Sequence, residues 1–259
     1  MGHTARKRFG QHFLCDTQVI QHLVDVIDPI KQQHIVEIGP GRGALTIPVL
    51  KKIGVMDVVE LDRDLIPYIT ARCKDIGVLN VYQADALEFD FAKLITDEKP
   101  LRVIGNLPYN ISTPLIFHLL EYTTQIEDMH FMLQKEVVDR MAAKIGNSDY
   151  GRLSIMVQYH CQVTALFDVP PTAFDPPPKV DSKIVKLVPY TTIPFPAKNY
   201  SHFANIVKHA FNQRRKTLRN CLKHFMQDED WQKVNIDSKL RPEQLTVEQY
   251  IHISNSLQN

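Results

Sequence analysis

The sequence predicts an α/β fold: a Rossmann-like, doubly wound seven-stranded sheet followed by a small all-helical C-terminal domain. Three observations carry that reading. Apolar strand-like runs near 34–38, 55–61, 79–83, 101–105, 128–134, 161–169 and 183–188 alternate at first with helical segments, the rhythm of parallel βαβ units. A glycine-rich loop follows the first run and acids follow the next two, the placement expected of a ligand crevice at the carboxyl ends of parallel strands. Beyond Pro189–Pro196, which holds three prolines and no helical period, helical spacing appears near 200–226, 228–234 and 242–257. The expected domains are therefore 1–190, with a basic arm at 1–16, and 197–259.

Taken in order, His34-Ile35-Val36-Glu37-Ile38 reads as a buried parallel strand that stops at Gly39-Pro40-Gly41-Arg42-Gly43. Glycines at alternate positions let backbone pass close to a ligand, and Ala44-Leu45-Thr46-Ile47 starts a helix. Asp57-Val58-Val59-Glu60-Leu61-Asp62 reads as a second strand ending in acids, where the Glu60 carboxylate can grip ribose hydroxyls. Loop and acid alone suit a nicotinamide cofactor as well as S-adenosylmethionine (SAM). Two features favour SAM: the G-x-G-x-G spacing, and a third strand, Leu79-Asn80-Val81-Tyr82, ending at Gln83-Ala84-Asp85, whose carboxylate can accept from an adenine amine.

The fourth strand ends at Asn106-Leu107-Pro108-Tyr109. An exocyclic amine on a nucleobase is a weak nucleophile because its lone pair is delocalised into the ring. The Asn106 side-chain oxygen and the Leu107 carbonyl can both accept from one amino group and return lone-pair density to nitrogen. Pro108 restricts Leu107 to extended geometry, and Tyr109 offers a flat face to an unstacked base. An ordinary strand-to-helix turn is the alternative for the tetrapeptide in isolation. Phe174, bracketed by Pro170-Pro171 and Pro176-Pro177-Pro178, lies on a stiff loop that can either present an aromatic to a pocket or bury it beneath the turn.

Together Arg6–Leu14, Glu37–Gly41, Gly105–Ser112, Leu133–Glu136, Ala173–Ser182 and Ala210–Thr217 resemble the ribosomal RNA adenine N6,N6-dimethyltransferase family, in its bacterial small-subunit branch, over nearly the whole chain. The resemblance implies SAM contacts from His12, Leu14, Gly39, Gly41, Glu60, Asp85 and Asn106. It implies that Tyr109 and Phe174 sandwich a target adenine whose amine is held by Asn106 and the Leu107 carbonyl. It also implies dimethylation of two adjacent adenosines near the 3′ end of 16S rRNA, in a 30S assembly particle. Position 12 departs from the pattern, since the family as a rule carries Asn in this motif and this chain has His.

Charge supports a polyanionic partner through its distribution. The 259-residue chain has a formal net charge of only +1. Lys208, Arg214, Arg215, Lys216, Arg219 and Lys223 nevertheless fall in one stretch without Asp or Glu, and on a single helix they would form a cationic stripe with Phe211, Leu218 and Leu222 inward. Arg6, Lys7 and Arg8 precede the first acid, Asp16. Both clusters suit phosphate contacts, although a charge run is more often a solvated face. Pro242 is expected near a helix start.

The 4 cysteines show no C-x-x-C spacing, so neither a zinc site nor a disulfide framework is expected and the cytoplasm is the expected compartment. No metal site, signal peptide or membrane span is read, and a monomer is expected. Three competitors stay open: a large-subunit rRNA methyltransferase of the same family, a DNA adenine methyltransferase, and a non-catalytic assembly factor. Leu107 speaks against the DNA enzymes, whose tetrapeptide has proline there, and Phe211–Lys216 looks like the small-subunit branch.

Overall fold

The structure is a computed structural model describing residues 12–95, 99–213 and 215–258. Arg6, Lys7, Arg8 and Arg214 lie outside the described residues. The elements in chain order are β1 (Phe13–Leu14), α1 (Thr17–Ile27), β2 (His34–Ile38), α2 (Thr46–Ile53), β3 (Val55–Glu60), α3 (Ile66–Cys73), β4 (Val78–Gln83), β5 (Leu101–Asn106) and α4 (Ser112–Leu119). They continue with β6 (Ile126–Gln134), α5 (Lys135–Ala142), α6 (Arg152–His160), β7 (Cys161–Val169), β8 (Phe174–Asp175), β9 (Ser182–Pro189), α7 (Tyr200–Asn212), α8 (Leu218–Cys221), α9 (Asp228–Val234) and α10 (Val247–Ser256).

The seven-stranded sheet has the order β4-β3-β2-β5-β6-β9-β7. Strands β2 to β6 pair in parallel, as their connecting helices require. Strand β9 inserts between β6 and β7, antiparallel to β6 with Met129 opposite Leu187. The order reverses between β2 and β5, which opens a crevice at their carboxyl ends. Ile35, Val36, Val58, Val103 and Ile104 are completely or almost completely buried, as continuous apolar strands covered on both faces should be. Gly105 allows β5 to run close beside β2, because a Cβ there would come within 2.7 Å of the Ile38 carbonyl oxygen.

The chain divides into two compact units, one formed by the residues up to Val138 with Thr164–Pro189, the other by Asp139–Val163 with Tyr190–Asn259. The second unit therefore takes in 139–163, which the sequence assigns to the catalytic domain. The reason is α6: Leu153, Ile155, Met156, Val157 and Tyr159 are buried, and the Tyr159 ring packs tilted against Phe203 of α7 with centroids 4.9 Å apart. An apolar helix of this kind needs cover on most of its surface, and α7 supplies it.

One further expectation is corrected in this unit and a second is met in part. The run 200–226 is not one helix: α7 ends at Asn212, Gln213 takes φ −131° and ψ 53°, and Thr217 is extended. The backbone N–H groups of Leu218 and Arg219 instead donate to the carbonyls of Leu240 (2.8 Å) and Ser238 (3.0 Å). Among the described residues the cations do not form one continuous helical stripe. Pro242–Gln244 forms a short 3-10 turn, and α10 begins three residues later behind a Thr246 cap that accepts from the Gln249 N–H. No helix among the described residues is long and apolar enough to cross a membrane.

Candidate active site

A cavity in the first unit opens where β2, β3, β4 and β5 end, and it gathers ten of the expected side chains: His12, Leu14, Gly39, Gly41, Glu60, Asp85, Asn106, Leu107, Pro108 and Tyr109. The glycine loop supplies one wall. Gly39, Gly41 and Gly43 all have positive φ (69°, 54° and 81°), a conformation that only glycine adopts without strain. A Cβ on Gly41 would also approach the Phe13 ring to 3.2 Å. The loop is anchored by a Gly39 N–H donated to the Val59 carbonyl at 2.9 Å and by Gly41 N–H to Glu60 Oε2 at 3.3 Å.

Glu60 ends β3, and its second oxygen accepts the Asp62 N–H at 2.8 Å. Burial raises its carboxyl pKa above the ordinary range against the pull of those backbone donors. Asp85 closes an Asx turn after β4 by accepting the Leu87 N–H at 2.9 Å. Both acids thus have their backbone fixed while facing the cavity.

Glu37 is a cavity-lining residue that sequence reasoning did not single out. It lies inside β2, is only 2% exposed and lines the cavity. Burial pushes its carboxyl up to about 8, with the Thr46 hydroxyl at 2.6 Å opposing and Glu60 adding to the shift. The signal was present as a lone acid in an otherwise apolar strand, a position that charged groups occupy only for a reason.

Asn106 is the last residue of β5 and sits opposite Met132 of β6. Its amide nitrogen donates to the His12 carbonyl at 3.0 Å. A carbonyl can only accept, so this bond leaves the Asn106 oxygen as the acceptor for an incoming amine. Leu107 is held by its own N–H, donated to the Met132 carbonyl at 3.2 Å. The Tyr109 hydroxyl meets Ser182 Oγ at 2.7 Å, the Tyr109 carbonyl accepts the Ser112 hydroxyl at the start of α4, and burial raises the phenol pKa. Hydroxyl and backbone are therefore both anchored.

Phe174 is not brought to this cavity. It is 4% exposed, belongs to the apolar core and pairs in β8 with Leu14 of β1. Asp175 faces the cavity wall instead, with Oδ2 at 3.4 Å from Arg42 Nη1, while the Arg42 guanidinium lies 4.3 Å above the Phe13 ring. The proline-rich loop thus buries its aromatic and uses its polar backbone to brace β1.

In the second unit Lys208, Arg215, Lys216, Arg219 and Lys223 are all exposed. Arg219 pairs with Asp228. Arg215 lines a shallow cleft with Arg241, Glu243 and the 146–148 turn, so a basic surface exists without the helical stripe.

A doubly wound sheet whose switch-point cavity is lined by a glycine loop, strand-ending acids and Asn-Leu-Pro-Tyr defines the class of SAM-dependent methyltransferases. The profile described as "Ribosomal RNA adenine dimethylase" matches residues 2–259, and the chain belongs to that family. It is 56% identical over 253 residues to a ribosomal RNA small subunit methyltransferase A from Marinomonas sp. (strain MWYL1), covering 98% of this chain and 95% of the relative. To the protein of the same name from Shewanella woodyi it is 53% identical over 255 residues, covering 98% and 96%. A crystal structure of a dimethyladenosine transferase from Plasmodium falciparum superposes with a TM-score of 0.81 at 26% identity, covering 93% of this chain and 96% of that one.

Proposed function

We propose that this chain uses SAM to dimethylate N6 of two adjacent adenosines near the 3′ end of 16S rRNA, in a 30S assembly particle. In this reading it works in the cytoplasm as a monomer. The observation that carries the chemistry is Asn106, whose amide is oriented by the His12 carbonyl with its oxygen left to accept, in the lining of the switch-point cavity. Family membership and the small-subunit relatives support the choice of RNA.

The residues present fit SAM. Glu60 is braced to accept ribose hydroxyls, Asp85 to accept an adenine amine, and the glycine loop leaves room for close backbone approach. Buried Glu37 favours a cationic ligand, because an opposite charge offsets the cost of ionising it. When bound, SAM supplies a methyl group made electrophilic by the sulfonium. Asn106 and the Leu107 carbonyl hold the acceptor amine with its lone pair localised, and Tyr109 presents a flat face to the base. The amine becomes acidic on alkylation and loses its proton to water, so no side chain is needed as a base. For the second transfer one of the two amine hydrogen bonds must loosen, since the monomethylated nitrogen has one hydrogen left.

Arg6, Lys7, Arg8, Arg214, Arg215, Lys216 and Arg219 are proposed phosphate contacts. Replacing Arg215 and Lys216 by Glu should weaken RNA binding and reduce the salt slope by about 2; an unchanged slope would remove them from the interface. The reaction itself is tested by incubating the protein with SAM and, in parallel, unmethylated small subunits, large subunits, naked rRNA and duplex DNA, then quantifying N6-methylated adenosines by mass spectrometry. Dimethyladenosine confined to the small-subunit lane is the expected result. Product confined to another lane would move the target, and none in any lane would refute methyl transfer on these substrates.

A further inference from the structure

Both ends of the Asn106–Tyr109 turn are referenced to β6. Asn106 pairs with Met132, whose carbonyl accepts the Leu107 N–H at 3.2 Å. Two residues further along β6, Gln134 pairs with Ser182, the first residue of β9. That junction is fastened once more where the Lys135 N–H donates to the Asp181 carbonyl at 2.9 Å. Ser182 is completely buried, so its hydroxyl is committed to a protein partner, and that partner is the Tyr109 phenol at 2.7 Å. Ser182 lies outside the cavity lining and reaches the site through Tyr109. Because the phenol oxygen lies on the long axis of the ring, this bond fixes the direction in which the ring points, while the Tyr109 carbonyl is tied to the Ser112 hydroxyl at 3.1 Å.

Two transfers to one nitrogen make unequal demands on this ring. Before the first, the amine has two hydrogens, one for the Asn106 oxygen and one for the Leu107 carbonyl. Before the second it has one, so one of those bonds is gone and the base is held more by the face on which it stacks. We infer that Ser182 is a positioning residue for the second transfer. Its hydroxyl keeps the Tyr109 ring in place under the monomethylated base, and so makes the product dimethyladenosine instead of monomethyladenosine. The inference rests on the dimethylation reading and adds no new chemistry to it. In each transfer a nitrogen–carbon bond forms as the sulfonium–carbon bond breaks, the bonding pair leaves with sulfur as a neutral thioether, and the amine proton goes to water.

The test follows N6-monomethyl- and N6,N6-dimethyladenosine over time on unmethylated small subunits at saturating SAM. Wild type, Ser182→Ala, Tyr109→Phe and the double variant are compared, with SAM affinity measured by equilibrium dialysis. Ser182→Ala should bind SAM within about twofold of wild type and keep the first transfer within about threefold, while the second slows about tenfold, the effect of one positioning hydrogen bond. Monomethyladenosine should therefore accumulate. Tyr109→Phe should show the same accumulation, and the double variant no more than either single, because all three lack the same bond. Equal slowing of both transfers by Ser182→Ala would overturn the inference, since a merely structural residue affects both alike. Tyr109→Phe removes the bond without opening a cavity in β9, so a Tyr109→Phe protein with the wild-type product ratio would overturn the inference even where Ser182→Ala folds poorly. A wild type that makes no dimethyladenosine would overturn the dimethylation reading and this inference together, whereas dimethylation by wild type and an unchanged product ratio in every variant removes the role of Ser182 alone.

Discussion

At the amino ends of β5 and β6, Arg102 and Asp128 face each other in register and close a bidentate ion pair at 2.9 and 2.8 Å. At the carboxyl ends of β2 and β3, by contrast, two carboxyls, Glu37 and Glu60, are buried without a cationic partner among the described residues, and burial favours the uncharged form of each. The amino edge spends its polar groups on itself. Arg102 also donates to the Ile27 carbonyl that ends α1 (2.7 Å) and to Gln33 (2.8 Å), and on the neighbouring strands Asp57 accepts from Asn80 and pairs with His34 at 2.6 Å. The carboxyl edge keeps acids raised by burial, three positive-φ glycines and an amide oriented to accept. One sheet therefore holds stability at one edge and binding capacity at the other, because the amino-edge acids are paired to cations and side-chain donors of the protein while the carboxyl-edge acids, held only by backbone N–H groups and a hydroxyl, keep acceptor sites for a ligand.

The contrast breaks most strongly at Arg102. Arg102→Met leaves Asp128 buried without its partner and should cost about 3–5 kcal/mol of stability in urea denaturation, with SAM binding by the folded fraction preserved. A loss below about 1 kcal/mol would deny the amino edge its structural role.

Glu37 gives the next effect, and it has the opposite pH sign from a paired carboxylate. Its folded pKa of about 8 lies above the ordinary 4.5, so the folded state binds the extra proton and stability falls as pH rises through that window. Glu37→Gln should gain about 2–4 kcal/mol over wild type between pH 6 and pH 9. Parallel stability curves for the two proteins would contradict the burial argument.

A smaller acid-side effect belongs to His130, which is 1% exposed with neither ring nitrogen hydrogen-bonded. Burial lowers its pKa to about 4, although Asp128 opposes the shift. The unfolded chain then binds the proton first, and stability is lost as pH falls from 6.5 toward 4. His130→Phe should flatten that limb by about 1–3 kcal/mol in acid titrations followed by circular dichroism. An unchanged limb would place the acid sensitivity elsewhere.

Most of the carboxyl edge was legible in the sequence, since strand-ending acids, alternate glycines and Asn-Leu-Pro-Tyr are local signals. The amino edge was not. Arg102 and Asp128 meet only through the β5–β6 register, and no spacing announces a partner 26 residues away. The end of α7 was also hidden, because helical spacing runs on through Leu218 and Leu222 while the break is caused by bonds to the 238–240 segment. Phe174 shows the limit of local stiffness. Prolines fixed the loop, but whether its aromatic turned inward or toward the cavity depended on β1, which pairs with it from the far end of the sequence. The membership of 139–163 in the second unit likewise rests on packing against α7, beyond any local pattern.

The account depends most on the oriented Asn106 amide. Single-turnover methyl transfer by Asn106→Ala, measured at saturating SAM on unmethylated small subunits alongside RNA binding, tests it directly. The expected result is RNA affinity within about twofold of wild type and a transfer rate lower by about 10²–10³, the effect of removing one preorganised polar contact to the reacting group. A transfer rate equal to wild type would contradict the assignment of the carboxyl edge as the site of chemistry.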